Sequence, residues 1–61
     1  MKLVIEINLD NAAFEEPNRR LEVERILRKY VARARTYGVY GFTLRDTNGN
    51  TVGRAEVLDE A

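Results

Sequence analysis

Residues 45–53, RDTNGNTVG, place aspartate, asparagine and glycine in an order that calcium-binding loops also use. An EF-hand loop needs oxygen ligands at its positions 1, 3 and 5, a glycine at position 6 and a bidentate glutamate at position 12. Counted from Asp46, the glycine falls at position 4, and position 12 is Val57. Asn-Gly between two alternating runs is instead the strongest short-range signal for a β-hairpin. The segment therefore predicts a tight turn rather than a metal site.

Two pairs of adjacent carboxylates, Glu15–Glu16 and Asp59–Glu60, have the chemistry needed for acid–base catalysis. Both pairs lie near loops or the chain end, where carboxylates are usually solvated, and 61 residues leave little volume for a pocket that excludes water. The chain contains no cysteine and no histidine, which excludes a disulfide framework, a Cys/His zinc site and a Cys/His nucleophile pair. A metal site made of carboxylates alone stays open. We expect a protein that is not an enzyme and that holds no cofactor or metal.

A basic segment between acidic flanks is the clearest electrostatic feature. Residues 19–35 hold seven arginines and lysines against two glutamates, a charge of +5, although the formal net charge of the chain is zero. Such a surface suits an acidic protein partner or the phosphates of a nucleic acid. Because a neutral chain lacks the long-range attraction of most nucleic-acid binders, the protein partner is favoured and a small nucleic-acid-binding protein is the alternative. The predicted partner-binding residues are Arg25, Arg28, Lys29, Arg33 and Arg35.

Three extended segments and one helix are expected to carry these residues. Residues 2–9 alternate apolar and polar side chains, which is typical of a strand with one buried face. Residues 17–36 place apolar side chains at helical spacing, with Gly38 at the position of a left-handed C-cap. Residues 39–46 and 51–58 alternate on either side of the Asn-Gly turn. The expected architecture is α+β, a single β-α-β-β domain in which an amphipathic helix packs on a three-stranded sheet with a C-terminal hairpin.

The hairpin admits two registers. A two-residue type I′ turn places Leu44 opposite Gly53 and Phe42 opposite Ala55, so that large side chains meet small ones. A type I turn with a glycine bulge would shift the register and turn Val52 inward. The first register is preferred, and a bulge at Val52–Gly53 would satisfy parts of both.

One helix leaves the reverse face of such a sheet uncovered. A domain of 61 residues buries only about 60% of the surface that its unfolded chain exposes, so it usually needs disulfides, a metal or self-association. A half-apolar reverse face is the expected docking place for a second copy. We therefore expect a homodimer that self-associates through Val4, Val52 and Leu58.

Three segments of the chain have distinctive patterns: residues 9–14 read L-D-N-A-A-F, residues 22–28 read E-V-x-R-I-L-R and residues 44–53 read L-R-D-x-N-G-N-x-V-G. Together these patterns resemble those of a group of small accessory proteins from bacteriophages and prophages. The link between helix and hairpin, RTYGVYGF, departs from the acidic, glycine-rich link of the group. The resemblance implies a protein that binds a host protein or ribonucleoprotein complex, and inhibition of a defence complex such as CRISPR is the leading specific expectation.

Two further expectations concern context. No apolar run is long enough to span a bilayer, and the absence of cysteine fits the reducing cytoplasm of a bacterial host. A structural component of a phage particle, with no activity of its own, remains an alternative to the binding module.

Overall fold

A computed structural model describes residues 1–59 of the chain. The elements follow in the order β1 (Lys2–Ile7), a 3-10 turn (Ala12–Phe14), α1 (Arg19–Tyr37), β2 (Phe42–Arg45) and β3 (Thr51–Leu58). One helix packs on a three-stranded antiparallel sheet, which confirms the predicted α+β architecture.

The sheet places β3 in the centre, with the strand order β1-β3-β2 that the sequence left open. Ala55 pairs with Ile5 of β1 on one side and with Phe42 of β2 on the other. Directly opposed side chains share one face of a sheet, so these three residues all point towards the helix. The first and second strands are therefore the two edges.

The strand register of the hairpin is the preferred one, with Leu44 paired to Gly53. One residue further along β2, Arg45 pairs with Thr51, so Val52 is an extra residue of β3 and forms a β-bulge. The bulge turns the Val52 side chain into the core, where it is 6% exposed. The expectation that Val52 lies on the reverse face was therefore wrong, because one inserted residue changes the face to which a strand side chain points.

The turn between β2 and β3 is the alternative one, a type I turn followed by a left-handed glycine. The Gly49 N–H donates to the Asp46 carbonyl oxygen at 3.0 Å, and the Asp46 N–H donates to the carbonyl oxygen of Asn50 at 2.9 Å. Gly49 has a φ of 85°, in the left-handed region that favours glycine. A turn closed in this way and followed by a left-handed glycine is the usual partner of a hairpin bulge. The prediction of a two-residue turn was wrong, although the hairpin and the register of its strands were right.

The helix ends where its sequence indicates and begins two residues late. The Asn18 N–H donates to the Glu15 carbonyl oxygen at 2.9 Å, so Pro17 lies in a turn before the helix rather than in its first turn. At the other end, Gly38 has a φ of 69° and its N–H donates to the Ala34 carbonyl oxygen at 2.9 Å. This is the predicted left-handed C-cap.

The core lies between α1, the 3-10 turn, β2 and the central strand. Phe14 is fully buried in it. The helix makes its contacts with the 3-10 turn and with β2. The remaining buried apolar residues are Ile26, Tyr30, Leu44, Val52 and Ala55. In the first strand, Ile7 packs against this core, whereas Leu3 and Ile5 stay exposed.

Candidate interaction surfaces

Asp46, the residue that suggested a metal loop, organises the hairpin turn. Its buried carboxylate accepts four hydrogen bonds, two at Oδ1 from the N–H groups of Asn48 and Asn50 and two at Oδ2 from the side-chain amides of Asn11 and Asn50. Burial favours the neutral acid, but these hydrogen bonds, led by those from Asn50, lower the pKa of Asp46. Within residues 1–59, no group of three or more metal-ligating side chains is placed to hold an ion.

Glu22 is a buried carboxylate that ties the helix to the same turn. Its Oε1 accepts from Arg25 Nε at 2.7 Å, and its Oε2 accepts from the Thr47 N–H at 2.7 Å. The hydrogen bond from Arg25 lowers the pKa of Glu22, burial opposes this effect, and the Thr47 N–H adds to it. Arg25 also donates to the Arg45 carbonyl oxygen at 3.4 Å.

We call Asn11, Glu22, Arg25 and Asp46 the polar clamp, because together they join the 3-10 turn, the helix and the hairpin. Sequence reasoning missed it as a unit. Each of the segments 9–14, 22–28 and 44–53 contributes at least one member. Residues of these three segments therefore hold the fold together, and the Arg25 guanidinium, predicted to bind a partner, is engaged inside the molecule.

The other predicted contact residues are divided between two flanks of α1. Lys29 and Arg33 lie on the flank beside β2, where they line a small cavity of about 50 Å³ together with Phe42 and Arg45. The Arg33 guanidinium lies 4.7 Å from the centre of the Phe42 ring. Among residues 1–59, no carboxylate lies within ion-pair distance of Lys29, Arg33 or Arg45. We call these three residues the cationic strip.

Arg28 and Arg35 lie on the opposite flank. Arg28 forms an i,i+4 ion pair with Glu24, at 2.9 Å, and both side chains are solvent-exposed. Arg35 lies beside Val31 at the edge of an apolar depression. The structure therefore does not bring the five predicted contact residues onto one surface.

A large exposed apolar surface lies between α1 and β1. Leu3, Ile5 and Leu9 on the strand side are 44%, 37% and 39% exposed, and Val31 on the helix is 54% exposed. Leu27 is half-buried beside it. We call these five residues the helix–β1 groove.

The groove is continuous along the helix. A depression of about 730 Å³ lined by Leu9, Leu27 and Val31 meets a second one of about 380 Å³ lined by Val31, Leu3 and Tyr40. The alternation of β1 correctly predicts which side chains face the helix, but not that they stay exposed. One helix about 10 Å wide covers only about two strands spaced 4.8 Å apart, and the helix lies over β2.

The reverse face of the sheet is mostly polar. Val4 is half-buried there and Leu58 is exposed, but the strand between the two edges presents Arg54 and Glu56, which form an ion pair at 3.6 Å. Glu6 pairs with Arg54 across the strands. The apolar surface expected on this face is therefore found on the helix side instead.

Two general findings complete the description. In the part of the chain that the structure describes, no helix is long and apolar enough to cross a membrane. Comparison with protein-family profiles, with curated proteins and with solved structures returned no significant match.

Proposed function

We propose that this chain is a small protein-binding module of the phage-accessory type, without enzymatic activity, that acts in the cytoplasm of a bacterial host. It occupies the surface of a host protein or ribonucleoprotein, and the specific activity in this proposal is inhibition of a defence complex such as CRISPR. The phage context rests on the sequence resemblance of residues 9–14, 22–28 and 44–53. The observation that carries the binding function is the uncompensated charge of the cationic strip.

The cationic strip is suited to an acidic surface for two physical reasons. Its three positive side chains have no carboxylate neighbour among residues 1–59, so a partner carboxylate would be their first opposite charge. Arg33 is also held over the Phe42 ring, and the Arg45 guanidinium donates to the Gly49 carbonyl oxygen at 3.2 Å. Side chains that are already ordered lose less conformational entropy when they bind.

An acidic protein surface fits the strip better than nucleic acid does. Three cations can neutralise only a few phosphates, and the rest of a chain with zero net charge adds no long-range attraction. Complementary charge at a protein interface instead contributes mainly to association rate and specificity.

A charge-reversal experiment tests this assignment. The wild-type chain, Lys29→Glu/Arg33→Glu and Arg28→Glu/Arg35→Glu are each used as bait in host lysate, and retained proteins are identified by mass spectrometry. Both double variants change the net charge equally and lie on opposite flanks of one helix. We expect a partner that the wild type and the Arg28/Arg35 variant retain and the Lys29/Arg33 variant loses. Retention by the Lys29/Arg33 variant contradicts the proposed surface.

The anti-defence activity has its own readout. Phage plating efficiency is measured on cells with an active CRISPR system that express either the wild-type chain or Lys29→Glu/Arg33→Glu. Restored plating with the wild type alone supports inhibition, and restriction that is equal in both strains contradicts it. If the purified chain shifts DNA or RNA in a gel at low salt, the alternative function, nucleic-acid binding, is favoured over binding to a protein partner.

A further inference from the structure

We propose that a second copy of this chain covers the helix–β1 groove, so that the protein is a homodimer built across this groove. The inference rests on the fold alone and does not depend on the proposed function. It moves the expected self-association surface from the reverse face of the sheet to the helix side.

The groove has the composition of an interface centre. Its exposed lining is mainly apolar, although charged residues also line it: Arg19, Arg20, Glu24 and Arg28 in the first depression and Arg35 in the second. An apolar centre with a polar rim is the usual anatomy of a protein–protein interface. The reverse face, with Arg54 and Glu56 at its middle, lacks this pattern.

The amount of exposed surface matches what a second copy would bury. A compact monomer of 7.0 kDa has an accessible surface of about 4,000 Å², whereas this chain exposes 4739 Å². The excess of about 700 Å² is close to the roughly 800 Å² that each partner contributes to a standard interface. The radius of gyration is 12.3 Å, against about 10.5 Å for a compact domain of this length.

The groove is also complementary to itself. Leu27 and Val31 form the helix side of the two depressions, and Leu9 and Leu3 form the strand side. A two-fold axis lets each copy place its helix flank against the floor of the other, which is the defining property of an isologous contact. Within residues 1–59 no strand pairs with the outer edge of β1, so the sheet does not block this approach.

Sedimentation velocity of the purified chain across micromolar concentrations tests the proposal. We expect a dimer for the wild type and a dissociation constant weakened by roughly tenfold or more for Val31→Glu, because a charge would enter the apolar centre. Two leucine-to-glutamate controls stay dimeric: Leu21→Glu, on the outer side of the same helix and 65% exposed, and Leu58→Glu, on the reverse face and 40% exposed. Leu3→Lys, on the groove floor, serves as a second disrupting variant.

Each outcome decides the matter. Circular dichroism confirms that the Val31 and Leu3 variants stay folded, which their exposure in the monomer allows. A monomeric wild type at all concentrations overturns the proposal, and so does a dimer that Leu58→Glu dissociates and Val31→Glu does not. The double variant Lys29→Glu/Arg33→Glu is expected to remain dimeric, so failure of the partner-binding proposal leaves this result unchanged.

Discussion

The two flanks of α1 are held by different kinds of interaction. On the β2 flank, the Tyr30 hydroxyl donates to the Tyr40 carbonyl oxygen at 2.9 Å, the Tyr30 and Phe42 rings meet edge to face, and Glu22 is hydrogen-bonded to the hairpin turn. On the β1 flank, Val31 faces open apolar space. Directional hydrogen bonds thus fix the helix over one edge of the sheet, and the non-directional apolar surface of the other flank is left for a second molecule.

The first strand depends on this asymmetry. It is held mainly by pairing with β3, and Ile7 near its end packs against the core. Any change that weakens the β1–β3 pairing should therefore release β1 and the groove floor together, whereas changes on the β2 flank should loosen the helix.

The largest expected effect comes from Gly53→Ala. A Cβ at this position would overlap the carbonyl oxygen of Glu6 in β1. We expect the free energy of unfolding to fall by more than about 3 kcal/mol, measured by urea denaturation. Gly41→Ala is the matched control, since its Cβ would meet only the Ala55 carbonyl oxygen at 3.8 Å, and it should change stability by less than about 0.5 kcal/mol. Equal effects of both substitutions would refute the account of β1.

Loss of the polar clamp should have the next largest effect. Glu22→Ala leaves the Thr47 N–H and the Arg25 guanidinium without their acceptor, and it should cost about 2 kcal/mol of unfolding free energy. Glu24 lies two residues after Glu22 on the same helix and forms an exposed ion pair with Arg28. Glu24→Ala removes that ion pair and should lower the unfolding free energy by less than about 0.5 kcal/mol. If the two variants unfold at the same urea concentration, the clamp does not anchor the helix.

Low pH should also weaken the polar clamp, because it protonates the carboxylates of Glu22 and Asp46. Both carboxylates have folded-state pKa values below the ordinary values of 4.5 for Glu22 and 3.8 for Asp46. Their stabilisation is therefore complete above those ordinary values and is lost as the pH falls below them, through the folded-state pKa values. We expect the urea midpoint to fall between about pH 5 and pH 2, and to fall less steeply in Glu22→Gln. A midpoint independent of pH over this range is the contrary result.

The smallest expected effect concerns one hydroxyl on the β2 flank. Tyr30→Phe removes the hydrogen bond to the Tyr40 carbonyl oxygen and should cost about 1 kcal/mol. Tyr37→Phe is the control, because the Tyr37 side chain is exposed and its hydroxyl has no hydrogen-bond partner among residues 1–59. Thermal unfolding that ranks Tyr37→Phe as the more damaging change would show that the β2 flank is not held as described.

Local signals account for the parts of the fold that the sequence predicts correctly. The apolar spacing of the helix, the left-handed glycine at Gly38 and the hairpin at Asn48–Gly49 each depend on a few neighbouring residues. The predicted range of β2, residues 39–46, was too long, and its early start was wrong for a similar local reason. The Tyr40 carbonyl oxygen accepts from Tyr30, and the strand begins only at Phe42.

Long-range geometry accounts for what sequence reasoning missed. The polar clamp joins Glu22 to a turn 25 residues later in the chain, and no local pattern marks that contact. The bulge at Val52 follows from a turn type that the Asn-Gly pair alone does not decide. The open groove follows from the position of the helix over β2, which the tyrosine and clamp contacts set. Helical spacing alone separates the candidate contact residues into two flanks, and the fold adds that Lys29 and Arg33 lie on the flank beside β2.

Chemical cross-linking tests most directly whether the β1 flank of α1 is closed by a second copy. The chain has no native cysteine, so Val31→Cys and Leu21→Cys each carry one thiol. Val31 lines the groove, whereas Leu21 lies ten residues earlier on the same helix, about 80° around it and outside the groove lining. A short bifunctional maleimide should join Val31→Cys into a covalent dimer at micromolar concentration and leave Leu21→Cys monomeric. A Leu21→Cys chain that cross-links as fast as Val31→Cys, or the absence of a dimer from both, would contradict the account.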